Sequence, residues 1–392
     1  MDITDQDTVG YTFLNETKNE IENSAYLEPV FNKLYRQRVG GGRKINIVHI
    51  GDSHILGNYF TAVVRERLQQ AFGDGGRGLI FPYKLAGSNG PRDYLVETNV
   101  NWYGSNCQRN LDEATPYGVS GFLLETFRHT GNLTVRLRDT STAETRLFTK
   151  VTIYHRQDSG PVEFSVYDDV TNQKAVLFLQ DEFYKSYYFD RPVSQVSIGF
   201  EKSEDRSKGS FMLDGIMLEN ELSGLVYHSI GVNGSKFSDF VRARFFARQL
   251  ADLNPDLIIV SFGTNEAQGK LSTRYIYNQI EELVRQIKQY APNAYFLFTT
   301  PADSYLRGTG FNPYLNQVSG VIREFALDNG YALWDLYQLG GGAQSAQRWK
   351  STGLLSSDSV HYSKVGYAVQ GKLLYQSFVN AYNNFVDERS GE

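Results

Sequence analysis

The sequence predicts an α/β protein: a parallel sheet covered by helices on both faces, interrupted after its first strand–helix unit by an antiparallel β-sandwich. Three observations predict it. Short apolar strands alternate with amphipathic helices near the start and again from about residue 228. Between roughly 90 and 220 the apolar period changes from helical to alternating. Reactive residues fall just after the strands of the first kind, where an open parallel sheet binds its ligands.

The first unit reads as strand, turn, helix. "INIVHI" (45–50) is the strand, and Phe60, Val63, Val64 and Leu68 then recur at helical spacing until "GDGGRG" (73–78) breaks the pattern. After the insert, "SDFVRARFFARQLADL" (238–253) is expected as a helix and "DLIIVSF" as a buried strand. Ile276, Ile280, Leu283, Val284 and Ile287 share one helical face, "AYFLFTT" is a strand, 313–329 is helical, and "YALWD" is the last strand. In the middle, Leu133, Val135 and Leu137 alternate, as do Val162, Phe164 and Val166, then Val196, Ile198 and Phe200. Turns such as 158–160 and 168–172 separate these strands. The resulting division assigns 25–88 and 222–385 to a discontinuous α/β domain and 89–221 to the insert.

Composition narrows the function classes. A chain of 392 residues exceeds one ordinary core, and 41% hydrophobic with 21% charged residues is a globular balance. A net charge of −5 without a long Lys/Arg run argues against nucleic acid as a partner. The single cysteine, Cys107, excludes an internal disulfide and an all-cysteine metal site. No apolar run reaches the roughly 20 residues of a membrane span. The acidic start "MDITDQDTVG" does not read as a secretory signal. The 26 Tyr and 25 Phe suit a β-rich module and can stack on sugar rings, although core packing is the commoner use. Trp102 and Trp349 stand between the same two roles.

Three stretches concentrate the chemistry. Ser53 follows the first strand in "GDSH" (51–54), Asn265 follows a central strand in "GTNE" (263–266), and Asp358 and His361 lie in "DSVH" (358–361) before the last helix. Ser, His and Asp are the set that makes a hydroxyl nucleophilic at neutral pH. The imidazole takes the serine proton, and the carboxylate fixes its tautomer. Taken singly, each stretch has a plainer reading: Gly-Asp-Ser is good turn chemistry, and Ser363 after "DSVH" would cap a helix. All three in this order, each at a strand end or helix start, favour a site.

Together these blocks resemble the SGNH/GDSL hydrolase superfamily. The resemblance implies a flavodoxin-like three-layer α/β/α fold with Ser53 as nucleophile, His361 as general base and Asp358 as its orienting acid. It also implies an oxyanion hole from the N–H groups of Ser53 and Gly234 and the amide of Asn265. Gly234 is preferred over Gly231 because it sits just before a helix. Asp52 is expected to stabilise the turn, and His54 has no role in this scheme.

More narrowly, "HIGDSHI", "LDGIMLEN…SIGVNG" and "LWDLYQLGGG…RWKSTGLLSSDSVHYSKVGY" resemble bacterial peptidoglycan O-acetylesterases of the Ape1 type. That resemblance implies a carbohydrate-binding jelly roll as the insert. It also implies an O-acetylated polysaccharide substrate, no cofactor, and a periplasmic or secreted address. Related sequences deacetylate other polysaccharides, acetylxylan among them.

Competing readings are a metal-dependent hydrolase and a non-catalytic carbohydrate-binding protein. Asp52-x-His54 and Asp358-x-x-His361 have ligand-like spacing, but a metal site would leave Ser53 and Asn265 without roles. A binding module would need none of these residues. "GDGGRG" and "GGG" (340–342) lack the Lys-Ser/Thr of a phosphate loop. His49, inside an apolar strand, is expected as a core residue.

Overall fold

A computed structural model describes residues 3, 10–108, 116–138, 147–157, 161–202 and 209–390; the expected turn at 158–160 lies outside them. The first sheet has six strands in the order Ile21–Glu22, Ala332–Trp334, Tyr295–Thr299, Leu257–Ser261, Ile45–Gly51, Leu225–Gly231. Its last five strands are mutually parallel, and Ile21–Glu22 is an antiparallel edge. Numbered along the chain, the parallel strands run 2-1-3-4-5, the flavodoxin-like order. The two-residue edge strand has no apolar run and was not readable from sequence.

Alternation within these strands divides two cores. Ile45, Ile47, Leu257, Ile259 and Leu297 face helices Glu28–Gly40, Tyr59–Phe72 and Lys364–Ser390. Val48, Ile50, Ile258, Val260, Phe296 and Phe298 face Thr273–Tyr290 and Tyr314–Asp328. Each such buried Leu, Ile or Phe contributes about 1.5–3 kcal/mol relative to exposure. His49 is buried in a strand interior with both ring nitrogens satisfied, Nδ1 by Tyr227 Oη and Nε2 by Ser261 Oγ, each at 2.6 Å.

The segment 238–253, expected as one helix, is two: Phe237–Arg242 and Phe246–Ala251. Ala243 is extended between them. The break frees the Phe245 N–H to donate to the Tyr117 carbonyl at 3.1 Å, while its ring receives the Arg156 guanidinium at 4.9 Å.

Two antiparallel sheets make up the middle of the chain. The four-stranded sheet, in the order Tyr94–Thr98, Thr130–Leu137, Gln195–Lys202, Val162–Asp168, contains all three alternating segments. The other is built on Phe148–Gln157 and Phe211–Glu219, with Phe122–Thr126 and Tyr103–Asn106 on one side and Tyr184–Val193 and Val176–Gln180 on the other. It reaches back to Gly78–Ile80, upstream of residue 89, through the pair Ile80↔Ile216. Phe164 of one sheet meets Phe211 of the other at 5.5 Å, and Trp102 packs on Phe200 and Phe211 at 5.6 Å each.

A buried ion cluster joins the layers. Arg65 of helix Tyr59–Phe72 and Arg77 share Asp93, at 2.9 Å and 2.6 Å, just before strand Tyr94–Thr98. Arg156 makes a bidentate pair with Asp214, 2.6 Å on each arm, and Gln249 Nε2 donates to the same carboxylate at 2.8 Å.

Candidate active site

In the 2-1-3-4-5 order the chain reverses direction between strands Ile45–Gly51 and Leu257–Ser261, so the loops after them diverge and leave a crevice. Ser53 follows the first of these strands and Asn265 the second. Asp52 caps the four-residue helix Ser53–Leu56, its carboxylate accepting the His54 N–H at 2.9 Å. This holds Ser53 at a helix start, with its hydroxyl only partly covered.

Asp358 and His361 reach Ser53 from the loop before the last helix. His361 Nε2 lies 2.9 Å from Ser53 Oγ, and His361 Nδ1 lies 2.6 Å from Asp358 Oδ2. The tautomer that satisfies both contacts carries its proton on Nδ1, which leaves Nε2 to accept from the serine. Asp358 Oδ1 accepts from Ser356 Oγ at 2.6 Å and from the N–H groups of Val360 and His361 at 3.0 Å each. Burial alone would raise this carboxyl, but those hydrogen bonds and the one from His361 hold it well below the usual carboxylate range. Ser363 caps the last helix, accepting the Gly366 N–H at 3.1 Å.

Neither the Ser53 nor the Gly234 backbone N–H donates to another group among the described residues. Gly234 has φ +74, a left-handed conformation that favours glycine. Gly231 ends its strand against the Ser53 helix, and a Cβ there would stand 2.3 Å from Leu56 N. The two glycines therefore serve different needs, close packing at 231 and a turn at 234. Asn265 Nδ2 donates to Asp52 Oδ2 at 3.1 Å and to the Ser235 carbonyl at 3.0 Å.

Asp52 does more than cap its turn. Burial raises its carboxyl to about 7 against the pull of the His54 N–H, the His361 ring and Asn265. Glu266, next to Asn265, is raised to about 7 by burial as well, although it accepts the N–H groups of Phe237 and Gly263 at 2.8 and 3.0 Å. His54 also acquires a place. Its Nδ1 meets Tyr367 Oη at 2.9 Å and its ring lies 5.3 Å from the His361 ring. Burial first, and then the neighbouring His361, push it down to about 3, so it stays neutral behind His361. Tyr367 and Ser356 could not have been found from sequence, since nothing in their spacing marks them.

Other singled-out residues serve the fold. Trp349 is fully buried against Tyr362 at 5.0 Å, with Nε1 on the Gly340 carbonyl at 2.9 Å, and cannot offer a sugar platform. Cys107 is buried and its thiol is pushed up by burial. Among the described residues no three His, Cys, Asp or Glu side chains gather as a metal shell, and no helix is long and apolar enough to cross a membrane.

Residues 212–369 match the GDSL-like Lipase/Acylhydrolase family. The chain resembles the SGNH/GDSL hydrolases. A solved peptidoglycan O-acetylesterase structure shares its fold at TM-score 0.75 and 23% identity, covering 93% of this chain and 99% of that one. The lipase/acylhydrolase of Enterococcus faecalis aligns at TM-score 0.33 and 18% identity, over 40% of this chain and 77% of its own. The salicylyl-acyltransferase SsfX3 of a tetracycline biosynthetic pathway aligns at 0.35 and 12%, over 74% and 94%. No curated protein matches the chain.

Proposed function

We propose that the chain is a serine esterase of the SGNH/GDSL type that removes O-acetyl groups from a polysaccharide, peptidoglycan above all, in the periplasm or outside the cell. The observation that carries this reading is the line Ser53 Oγ, His361 Nε2, His361 Nδ1, Asp358 Oδ2, with contacts of 2.9 and 2.6 Å. The fold shared over 93% of the chain with a peptidoglycan O-acetylesterase supports the substrate.

In this mechanism Ser53 Oγ attacks the acetyl carbonyl carbon and its proton passes to His361 Nε2. The carbonyl π electrons move onto oxygen, where the N–H groups of Ser53 and Gly234 donate to the oxyanion. Asn265 joins them by exchanging one of its two resting acceptors for that oxygen. As the tetrahedral intermediate collapses, the bond to the sugar oxygen breaks and His361 returns the proton to the leaving alkoxide. Water then attacks the acetyl-serine while His361 takes its proton, and collapse breaks the bond to Oγ. Ser53 recovers a proton from His361, and acetic acid leaves to ionise in solvent. Asp358 stabilises the imidazolium in both halves. No step calls on a cofactor.

Apart from strand Gly78–Ile80, the two antiparallel sheets are assigned, in the same reading, to a carbohydrate-binding jelly roll spanning 89–221, flanked by the hydrolase segments 25–88 and 222–385. Tyr103 and Phe127, 66% and 56% exposed and packed edge-on at 6.0 Å, offer that module an aromatic surface for sugar. The test is acetate release from O-acetylated peptidoglycan and from acetylxylan by wild type and Ser53→Ala. Release from peptidoglycan that vanishes in the variant is expected. Release mainly from acetylxylan would keep the mechanism and change the substrate, and no release from either would overturn the esterase.

A further inference from the structure

A cleft of about 600 Å³ runs from the end of the Ser53 helix along residues 81–96 to Arg138, just after strand Thr130–Leu137 of the four-stranded sheet. One end begins at Gly57, the residue that caps the Ser53 helix, and at Tyr59, whose ring stacks on Tyr367 at 6.4 Å. The other side is tied to the Gly234 turn: Asn233 Nδ2 donates to Asn89 Oδ1 at 2.7 Å and to Ser88 Oγ at 3.3 Å, and both acceptors line the cleft. The cleft is thus lined by the residue that ends the Ser53 helix and by two residues bonded to the neighbour of Gly234.

Its charge is one-sided. Lys84, Arg92 and Arg138 line it, all three exposed, and no Asp or Glu does so among the described residues. None of the three forms an ion pair with a described residue. This stands out on a chain whose net charge is −5. By contrast Arg65 and Arg77 behind the cleft share Asp93, and Arg156 takes Asp214. Three cations facing one open volume, none of them paired with an anion among the described residues, fit a ligand that brings its own negative charge.

We infer that this cleft binds the carboxylate groups of an anionic glycan, with Lys84, Arg92 and Arg138 as specificity-determining residues that seat the chain while its acetyl ester lies at Ser53. The inference deepens the esterase reading and rests on it only for the position of the ester; the binding itself does not require turnover. It separates carboxylate-bearing glycans from neutral ones, a distinction that Ser53, His361 and Asp358 cannot make.

The experiment measures binding by the full chain carrying Ser53→Ala, with and without Lys84→Gln, Arg92→Gln and Arg138→Gln together. The probes are soluble O-acetylated peptidoglycan fragments, O-acetylated oligogalacturonides, and acetylated xylo-oligosaccharides free of uronic acid. Carboxylate-bearing probes are expected to bind roughly tenfold tighter than the neutral one, and the three substitutions are expected to abolish that difference. Raising salt from about 0.15 to 0.5 M should weaken the same binding without any mutation, a check that does not depend on the variant folding. The stronger of the two anionic probes identifies the source of the carboxylate. Equal binding of the neutral probe, binding unchanged by the substitutions and by salt, or no binding of any probe would overturn the inference. Hydrolysis of p-nitrophenyl acetate by wild type, measured in parallel, reads the esterase on its own, so failure of one is not mistaken for failure of the other.

Discussion

Asn265 Nδ2 donates to Asp52 Oδ2 across 3.1 Å, so the side chain read as an oxyanion donor is also the partner of the buried acid that precedes Ser53. Asp52 in turn holds the His54 N–H and with it the start of the Ser53 helix. Asn265→Ala should lower kcat on the order of 100- to 1,000-fold with a smaller change in KM, as expected for a donor used in the transition state. Asn265→Asp should also be destabilising in a pH-dependent way. It sets a second carboxyl against one already raised to about 7, so its melting temperature should fall further below wild type at pH 8 than at pH 5. Thermal melts at the two pH values check this.

Asp358→Asn should preserve the fold and reduce kcat on the order of 10⁴-fold, because an amide favours the wrong imidazole tautomer. Ser53→Ala and His361→Ala should cost about as much as their double variant, since the two act as one unit. Steady-state rates on a chromogenic acetate ester decide both points.

Asp93→Ala removes the carboxylate shared by two arginines that are each 1% exposed. Breaking a buried pair of this kind costs about 3–5 kcal/mol. Chemical denaturation should show a loss of that size, whereas Glu282→Ala, which breaks the exposed Arg285 pair, should leave the denaturation midpoint nearly unchanged.

His155 supplies a test of pH-linked stability. It is buried against Phe164 at 5.1 Å, with neither ring nitrogen bonded to a described residue, and burial, helped by Lys185, pushes it down to about 4. A histidine lowered in the folded state contributes stability above its unfolded value of about 6.5 that is lost as pH falls toward 4. His155→Phe should therefore stabilise the protein by about 2 kcal/mol more at pH 5 than at pH 8. Denaturant titrations at both pH values measure the difference, and an equal effect at both would show that His155 is not held neutral.

The two glycines weighed for the oxyanion hole should separate by substitution. Gly231→Ala drives a Cβ to 2.3 Å from Leu56 N and should cost about 1–3 kcal/mol while displacing the helix that bears Ser53. Gly234→Ala comes no nearer than 3.5 Å to any neighbour, the Gln108 side chain first, and pays chiefly for its φ of +74, about 1 kcal/mol. Melting temperature and kcat measured together distinguish a packing glycine from a turn glycine.

The sequence by itself determined the alternation of strands and helices, the change of period in the middle, and the three reactive blocks. Each is a local property: an apolar period shows which face of an element is buried, and the residues after a parallel strand stand at the ligand-binding edge. Leu133, Val135, Ile198 and Phe200 were legible because one face of their sheet is buried and the other is not. Phe211–Glu219 was less so, because it is buried on both faces along its whole length and no alternation survives. The break at Ala243 was invisible because the group that accepts the freed Phe245 N–H, the carbonyl of Tyr117, comes from another part of the chain.

Only the tertiary structure decided which groups share a charge or a proton. Asp52 met Asn265, His54 met Tyr367, Arg65 and Arg77 met Asp93, and three cations were left facing one cleft with no anion among the described residues. Electrostatic partnership depends on distance and burial, both set by how elements far apart in sequence pack, so no reading of spacing along the chain can supply it.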